Sequence, residues 1–581
     1  MRCARRYGQL RLRNWGGGVS GQSSHPKEEA KVRDGIDRRL ARVTSPVALR
    51  VVHATLLDAL DAAVAGGQPY ATFHGAHGER HLGYAAAREE AWRWSRLLRA
   101  RGLRRGDRVA LLLPTGPSFV TALLGVMMAG GVPVPLAAPM TFGGLERYLQ
   151  NLAAIVADAE VRIVVTTPRV RDAALAVSLA VPEILLEADL DGAPAAGPHP
   201  PSLGASDTAL LQYTSGTTGR PKGVVVSHRA LLSNAFAIAH GLALRPTDVG
   251  VSWLPLFHDM GLIGVVITAI AHPYPIHLIS PESFVMGPRR WLELISRVKG
   301  TISCAPNFAY ELCTARAGDT AAASLASLRV LLNGAEPVLR ATVDRFTARF
   351  GPLGLPPDVM LPVYGMAEST LAVTFPTLGA GLEAAGPAAH AGVSVGRPVA
   401  GASIAVTSES GEGLEEGAIG EIRIGGPSLM DGYFRNDAAS AAVLSGGWLR
   451  SGDLGFVDDG RLFVTGRVKE VIIQGGRNVH AYDVERVAAE VNGLRVGGIA
   501  AFARANEASG TDDLVVVAET LEKDGGRRDR IAREVRGEVL AALGVRVDEV
   551  RLCAVGAVPR TTSGKIRRRE CARLFLAEPS P

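Results

Sequence analysis

Thr214-Ser215-Gly216-Thr217-Thr218-Gly219-Arg220-Pro221-Lys222-Gly223 packs three glycines, four hydroxyls and one lysine into ten residues. The glycines leave the backbone free to curl with its N–H groups exposed, the hydroxyls donate hydrogen bonds, and Lys222 adds positive charge, a combination that suits a polyphosphate. The common nucleotide loop GxxxxGK[ST] must run straight into a helix whose N-terminus holds the phosphates. Here Pro221 precedes the lysine and Val224-Val225-Val226 follows it. Thr208-Ala209-Leu210-Leu211-Gln212-Tyr213 is also strand-like, so the loop is expected between two strands. The bland alternative is a glycine-rich hairpin turn that binds nothing.

At 581 residues the chain exceeds the size at which one hydrophobic core stops growing, so at least two domains are expected. Its 47% hydrophobic and 21% charged content is that of an ordinary globular protein. The net charge of +6 raises nucleic acid as a partner, but arginines alternate with acids and aromatics, needed for base stacking, are only 5%, so none is expected. The five cysteines, Cys3, Cys304, Cys313, Cys553 and Cys571, form no CxxC pair, which fits reduced thiols in a cytoplasmic protein without structural zinc. Phe119 to Met140 lacks charge, but Gly130-Gly131 and three prolines break it into a buried helix and strand, so the protein is not expected to be integral to a membrane.

Residues 1–45 carry Gly/Ser clusters and mixed charge with little to bury, and are expected to be a disordered or misassigned N-terminal extension. No apolar core follows the early arginines, so they do not form a secretory signal. From Ala48 onward, helix signals at Tyr84 to Arg101, Pro117 to Ala129 and Leu145 to Ala157 alternate with strand signals at Arg108 to Leu113, Gly131 to Leu136 and Val161 to Thr167. That alternation predicts an α/β fold with parallel-type sheets and ligands at the carboxyl ends of strands. Trp253 to Gly261 looks like a strand ending in a turn, followed by an apolar helix from Leu262 to Ala271. Ser303 to Tyr310, Leu331 to Pro337 and Pro362 to Ser369 each place an apolar strand ahead of small and polar residues, which argues for one convergent pocket. From Gly401 short alternating strands predict a small β subdomain. The expected division is 46–466 as an N-terminal nucleotide- and acyl-binding domain and 467–581 as a small C-terminal α/β lid.

Transfer of AMP from ATP makes a carboxylate electrophilic, and it needs positioned cations around the triphosphate. Lys222 suits the β and γ groups, and Glu368 suits Mg²⁺, which takes few protein carboxylates. Tyr364 offers a flat face for adenine, and Asp453 accepts from ribose hydroxyls. Each acid, taken alone, is equally a solvated surface charge, and Asp259 alone is best read as a helix cap.

Taken together, TSGTTGRPKG, YGMAES, SGDLG, GRVKEVIIQGG and the closing PRTTSGK resemble, in order, the motifs of the adenylate-forming superfamily of acyl-CoA synthetases, luciferases and peptide-synthetase adenylation domains. The resemblance runs from about residue 48 to about residue 575. It implies a mobile C-terminal domain. It also implies that Thr214, Ser215, Gly216, Thr217, Thr218, Gly219 and Lys222 contact the triphosphate, that Gly334, Ala335, Glu336, Tyr364, Gly365 and Met366 line the adenine site, and that Glu368 binds magnesium. Asp453 and Arg467 would hold the ribose, Lys469 would lie at the hinge, and Lys565 would be the adenylation lysine. Without the resemblance, Lys565 is a solvated lysine in a basic tail. Ala367 stands where many members have threonine, so one hydroxyl is either missing or supplied by Ser369.

Within the superfamily, PLFHDMGLIG, PNFAYELC, NGAEPV and GRNVHAYDVE look like fatty acyl-AMP ligases, which load an acyl carrier protein. Two features depart from that subgroup. The span from Leu371 to Ser394 is short for the inserted segment that obstructs CoA, and His480-Ala481-Tyr482-Asp483-Val484-Glu485 replaces the usual Tyr-Pro-Gln-Asp-Ile-Glu. A fatty acyl-CoA synthetase using CoA therefore stays open, as do an amino-acid adenylation domain and an inactive nucleotide-binding module. His258 has two readings, a gate for the thiol or acyl channel and a packed pocket histidine. Arg567 to Arg569 are expected to face an acidic carrier protein.

Overall fold

The computed structural model describes residues 36–37, 40–75, 78–138, 145–176, 183–197, 199–214, 221–318, 323–383, 392–474, 477–506, 511–560 and 565–577. The α/β alternation is realised as a four-stranded parallel sheet in the order Val132–Pro135, Arg108–Leu112, Val161–Thr166 and Glu183–Leu186. Pro117–Met128 is buried almost throughout its length, which accounts for the uncharged run. Among the described residues no helix is long and apolar enough to cross a membrane.

A seven-stranded sheet positions most of the site. Its order is Met360–Pro362, Val330–Asn333, Ile302–Ala305, Gly250–Ser252, Ile276–Ile279, Ala71–Gly75 and Gly78–Leu82, parallel except for the last pair. The segments with strand-then-site grammar thus lie side by side, and their carboxyl ends share one edge. Trp253 to Phe257, expected as strand, is not; the strand stops at Ser252, and Pro255, which has no N–H, could not extend the ladder. Helix begins at Asp259 and continues to Ala271 through a π-helical stretch, Leu262–Ile267.

The expected β subdomain is an antiparallel sheet of Ser403–Thr407, Gly420–Gly425, Trp448–Asp458 and Arg461–Arg467. Arg42–Thr44 adds to its edge beside Ser403–Thr407 and is itself paired with Ile36–Asp37. Ala41 and Val43 are buried. The expectation of disorder through residue 45 is therefore corrected for these strands; residues 1–35 lie outside the described residues. From Ile472 onward a separate apolar cluster forms around the strands Leu494–Asn506 and Thr511–Thr520 and the helices Ala481–Ala488 and Gly525–Leu543.

Candidate active site

Thr208–Thr214 and Lys222–Ser227 form an antiparallel pair with Lys222 opposite Thr214, so the loop is bounded by two strands, as expected. Ser215, Gly216, Thr217, Thr218 and Gly219 lie outside the described residues. Thr214 and Lys222 open onto a cavity of about 1130 Å³. Ala335, Glu336, Tyr364, Gly365, Met366 and Glu368 line it as well. So do His258, Asp453, Arg467, Lys469 and Lys565. Gly334 does not; a Cβ there would come within 2.6 Å of Val363 Cγ2, so its glycine serves strand packing behind the site.

The cavity's polar side chains are tied together. The Tyr364 hydroxyl donates to Asp453 Oδ2 at 2.7 Å, and Arg467 Nε lies 2.8 Å from Oδ1 of the same carboxylate. Burial and then Asp453 push the Tyr364 phenol up, so Tyr364 stays protonated and donating. The Tyr433 hydroxyl donates to Glu368 Oε1 at 3.0 Å, and burial pushes the Glu368 carboxyl up. A Cβ on Gly365 would fall 1.9 Å from the Leu371 carbonyl oxygen, so only glycine fits the hairpin that carries Glu368.

His258 is the N-cap of Asp259–Gly261, and its Nδ1 lies 2.6 Å from Asp259 Oδ1. Burial opposes ionisation of Asp259, but His258 and Lys565 outweigh it, and the carboxyl lies below its usual range. Asp259 Oδ1 also accepts from the Met260 N–H at 2.7 Å. The capping role expected of Asp259 therefore belongs to both side chains. Glu336 Oε1 accepts from the Phe308 N–H at 2.5 Å. Burial nonetheless pushes its carboxyl from 4.5 up to about 7, against the pull of Arg560 and Lys565. Lys565 thus acts on carboxyls from two separate segments of the large sheet's edge.

Two expectations are corrected. The Ser369 hydroxyl donates to the Met366 carbonyl at 3.0 Å and does not line the cavity, so it does not replace the hydroxyl absent at Ala367. Arg568 makes a bidentate pair with Glu485 at 2.7 Å and a second pair with Glu470 at 2.6 Å, and is unavailable to a partner. Arg567 pairs with Glu570 at 2.6 Å, and Arg569 is the exposed member of the run. Sequence reasoning missed Tyr433 and Asn234. Asn234 lies in the helix His228–Gly241, far from any motif, yet it holds the turn after Glu368.

Residues 61–434 match the family model described as AMP-binding enzyme. A protein of Caulobacter vibrioides carrying the provisional name acyl-CoA synthetase is 34% identical over 553 residues, covering 90% of this chain and 95% of that one. The chain belongs to the AMP-binding enzyme family. This AMP-binding enzyme is an adenylate-forming, ATP-dependent ligase. A long-chain-fatty-acid–AMP ligase of Mycolicibacterium smegmatis is 33% identical, covering 81% of this chain and 85% of that one. A solved structure from work on fatty acyl-adenylate ligases of E. coli and L. pneumophila superposes on the AMP-binding enzyme with a TM-score of 0.84 at 32% identity, covering 91% of this chain and 99% of that one.

Proposed function

We propose that this enzyme activates a fatty acid with ATP to an acyl adenylate and passes the acyl group to the phosphopantetheine thiol of an acyl carrier protein. What carries the reading is the convergence on one cavity of Lys222 and Lys565, from distant parts of the chain, with Glu368 and the Asp453–Arg467 pair. A carboxylate oxygen of the fatty acid attacks the α-phosphorus of ATP. The acyl–O–P bond forms, the bond to the β-phosphate oxygen breaks, and pyrophosphate leaves with the electron pair. Charge shifts over phosphate oxygens in this step, so cations fixed beforehand lower the barrier. Lys565 steadies the carboxylate against the α-phosphate. Lys222, with Thr214 to Gly219, steadies the β and γ groups.

Tyr364, with Ala335, Glu336, Gly365 and Met366, flanks adenine, and Asp453 accepts from the ribose while Arg467 holds its other oxygen. Among the described residues no group of three or more His, Cys, Asp or Glu side chains is placed to hold a metal. A lone carboxylate fits magnesium, which shares its ligands with phosphate oxygens and water, so Glu368 would hold Mg²⁺ and supply charge neutralisation there. In the second half-reaction the thiol sulfur attacks the acyl carbonyl, the C–S bond forms, AMP departs and the thiol proton passes to solvent. Rotation about Lys469 withdraws Lys565 before this step. His258, fixed by Asp259, is the candidate gate of the thiol route.

A second reading, with CoA as acceptor, is favoured by the Caulobacter relative's name and by the short span after YGMAES. Incubation with ATP, Mg²⁺ and a panel of fatty acids, with CoA or a holo carrier protein, separates the two. Acyl-AMP that persists with CoA and is discharged by the carrier supports the first reading; acyl-CoA formed at comparable rate supports the second. Failure to release pyrophosphate with any acid sinks both. Lys565→Ala should lose pyrophosphate exchange by about 10²- to 10³-fold with the fold retained. Near-parental exchange would remove the role given to Lys565.

A further inference from the structure

Tyr433 lies in none of the motifs that mark the site, yet it touches two of the charged groups there. Gly432–Tyr433 pairs antiparallel with Lys222–Ser227, and the Phe434 N–H donates to the Gly223 carbonyl at 2.7 Å. That register sets the ring under the lysine, with Lys222 Nζ 4.5 Å from the ring centroid. The hydroxyl of the same side chain donates to Glu368 Oε1 at 3.0 Å. The backbone is held too, because the Tyr433 N–H donates to Ser440 Oγ at 2.8 Å and that hydroxyl donates to the Asn436 carbonyl at 2.8 Å. Tyr433 is only 8% exposed, so one rigid, neutral side chain touches both an ammonium and a carboxylate.

Opposite charges in a confined cavity attract far more strongly than in water. The four-carbon stem of Lys222 is flexible, and without the ring face to hold it the ammonium would settle on Glu368. Such a pair would occupy the cation that the phosphates need, and breaking it would leave a buried carboxylate uncompensated. A cation–π contact and a hydroxyl–carboxylate bond hold the same two groups more loosely. We propose that Tyr433 is a positioning residue that keeps Lys222 and Glu368 from pairing with each other and so presents both to ATP. The proposal rests on the assignment of Lys222 to the phosphates made above.

The test is calorimetric titration of ATP into the full-length protein with EDTA present and no fatty acid, so that neither metal nor turnover enters the readout. Tyr433→Leu should weaken ATP binding about ten-fold, the scale of one desolvated contact. Adding Glu368→Gln to Tyr433→Leu should restore binding to within about two-fold of Glu368→Gln alone, because no carboxylate remains to capture the lysine. Tyr433→Phe keeps the ring in place and should bind like the parent. Should Tyr433→Leu fail to fold, Tyr433→Met carries the same expectations. Parental binding by the Leu or Met variant overturns the proposal, as does a loss that Glu368→Gln fails to repair, which is what a merely structural role would give. Lys222→Ala tells the two levels apart. Weakened binding there with none in Tyr433→Leu sinks the tyrosine proposal alone, and unchanged binding there sinks the phosphate assignment with it.

Discussion

Glu336 is under opposing influences. Burial keeps its proton on, and the Phe308 N–H, Arg560 and Lys565 favour the carboxylate; burial prevails, and the carboxyl moves from 4.5 to about 7. Between those values the folded protein holds a proton that the unfolded chain releases. The contribution of Glu336 to stability is therefore full below about 4.5 and is lost as the pH rises through about 7. In thermal melts the parent's advantage over Glu336→Gln should be larger near the bottom of that window than above it. A difference that stays constant across the window would contradict the assignment. The motif NGAEPV made Glu336 legible as a site residue, but its protonation was not, because the burial that holds the proton on, like the Phe308 N–H 28 residues away that opposes it, exists only once the parallel strands lie side by side. Tyr433 was hidden for the same reason. Its partner Lys222 is found only through strand register, which no local pattern encodes.

At the scale of elements, apolar strands that run into a polar motif were plain in the sequence, since a buried parallel strand is an unbroken apolar run and its carboxyl end is where ligands gather. Arg42–Thr44 was not, because three residues are too few to show alternation and the pairing partner, Ser403–Thr407, is remote in the chain. The turn after Glu368 depends on another remote contact. Thr370 sits there at φ +68°, a strained value for a β-branched residue, and donates its hydroxyl to the Ser428 carbonyl at 2.7 Å. Asn234, 0% exposed, donates to the Ser369 and Ala372 carbonyls at 3.3 and 2.9 Å and accepts from the Ala372 N–H at 2.9 Å. Asn234→Ala strands these groups without partners, at an expected cost of about 2–3 kcal/mol in denaturant unfolding. It should also raise the KM for ATP in pyrophosphate exchange, because the turn carries Glu368. Parental stability would show that the turn holds its shape without the amide.

Across the whole molecule the buried apolar clusters divide between Leu462 and Ile472. Within that gap lies Glu470, and Arg568 joins it to Glu485 in the helix Ala481–Ala488 and, three residues back along the chain, to the segment carrying Lys565. The Glu485 Oε1 that Arg568 contacts also accepts from the Ala501 N–H at 2.9 Å. One guanidinium thus pins the turn at Glu470, a helix and a strand around Lys565, so that the proposed rotation about Lys469 would carry Lys565 as part of a rigid body rather than as a loose tail. Burial alone would lower its pKa, but the two carboxylates more than offset this and keep Arg568 fully charged. Arg568→Met removes that charge and leaves two enclosed carboxylates facing each other, a change that costs on the order of 3 kcal/mol where a buried pair is broken. If residues 467–581 fold as an independent unit, calorimetry should resolve two transitions in the parent, and Arg568→Met should lower only the smaller one. The same variant should slow adenylate formation while thiol transfer from supplied acyl adenylate, for which the proposed mechanism withdraws Lys565, is much less affected. A single transition that shifts as a whole would mean that the two cores unfold together, and equal losses in both half-reactions would mean that Arg568 does not act through the placement of Lys565.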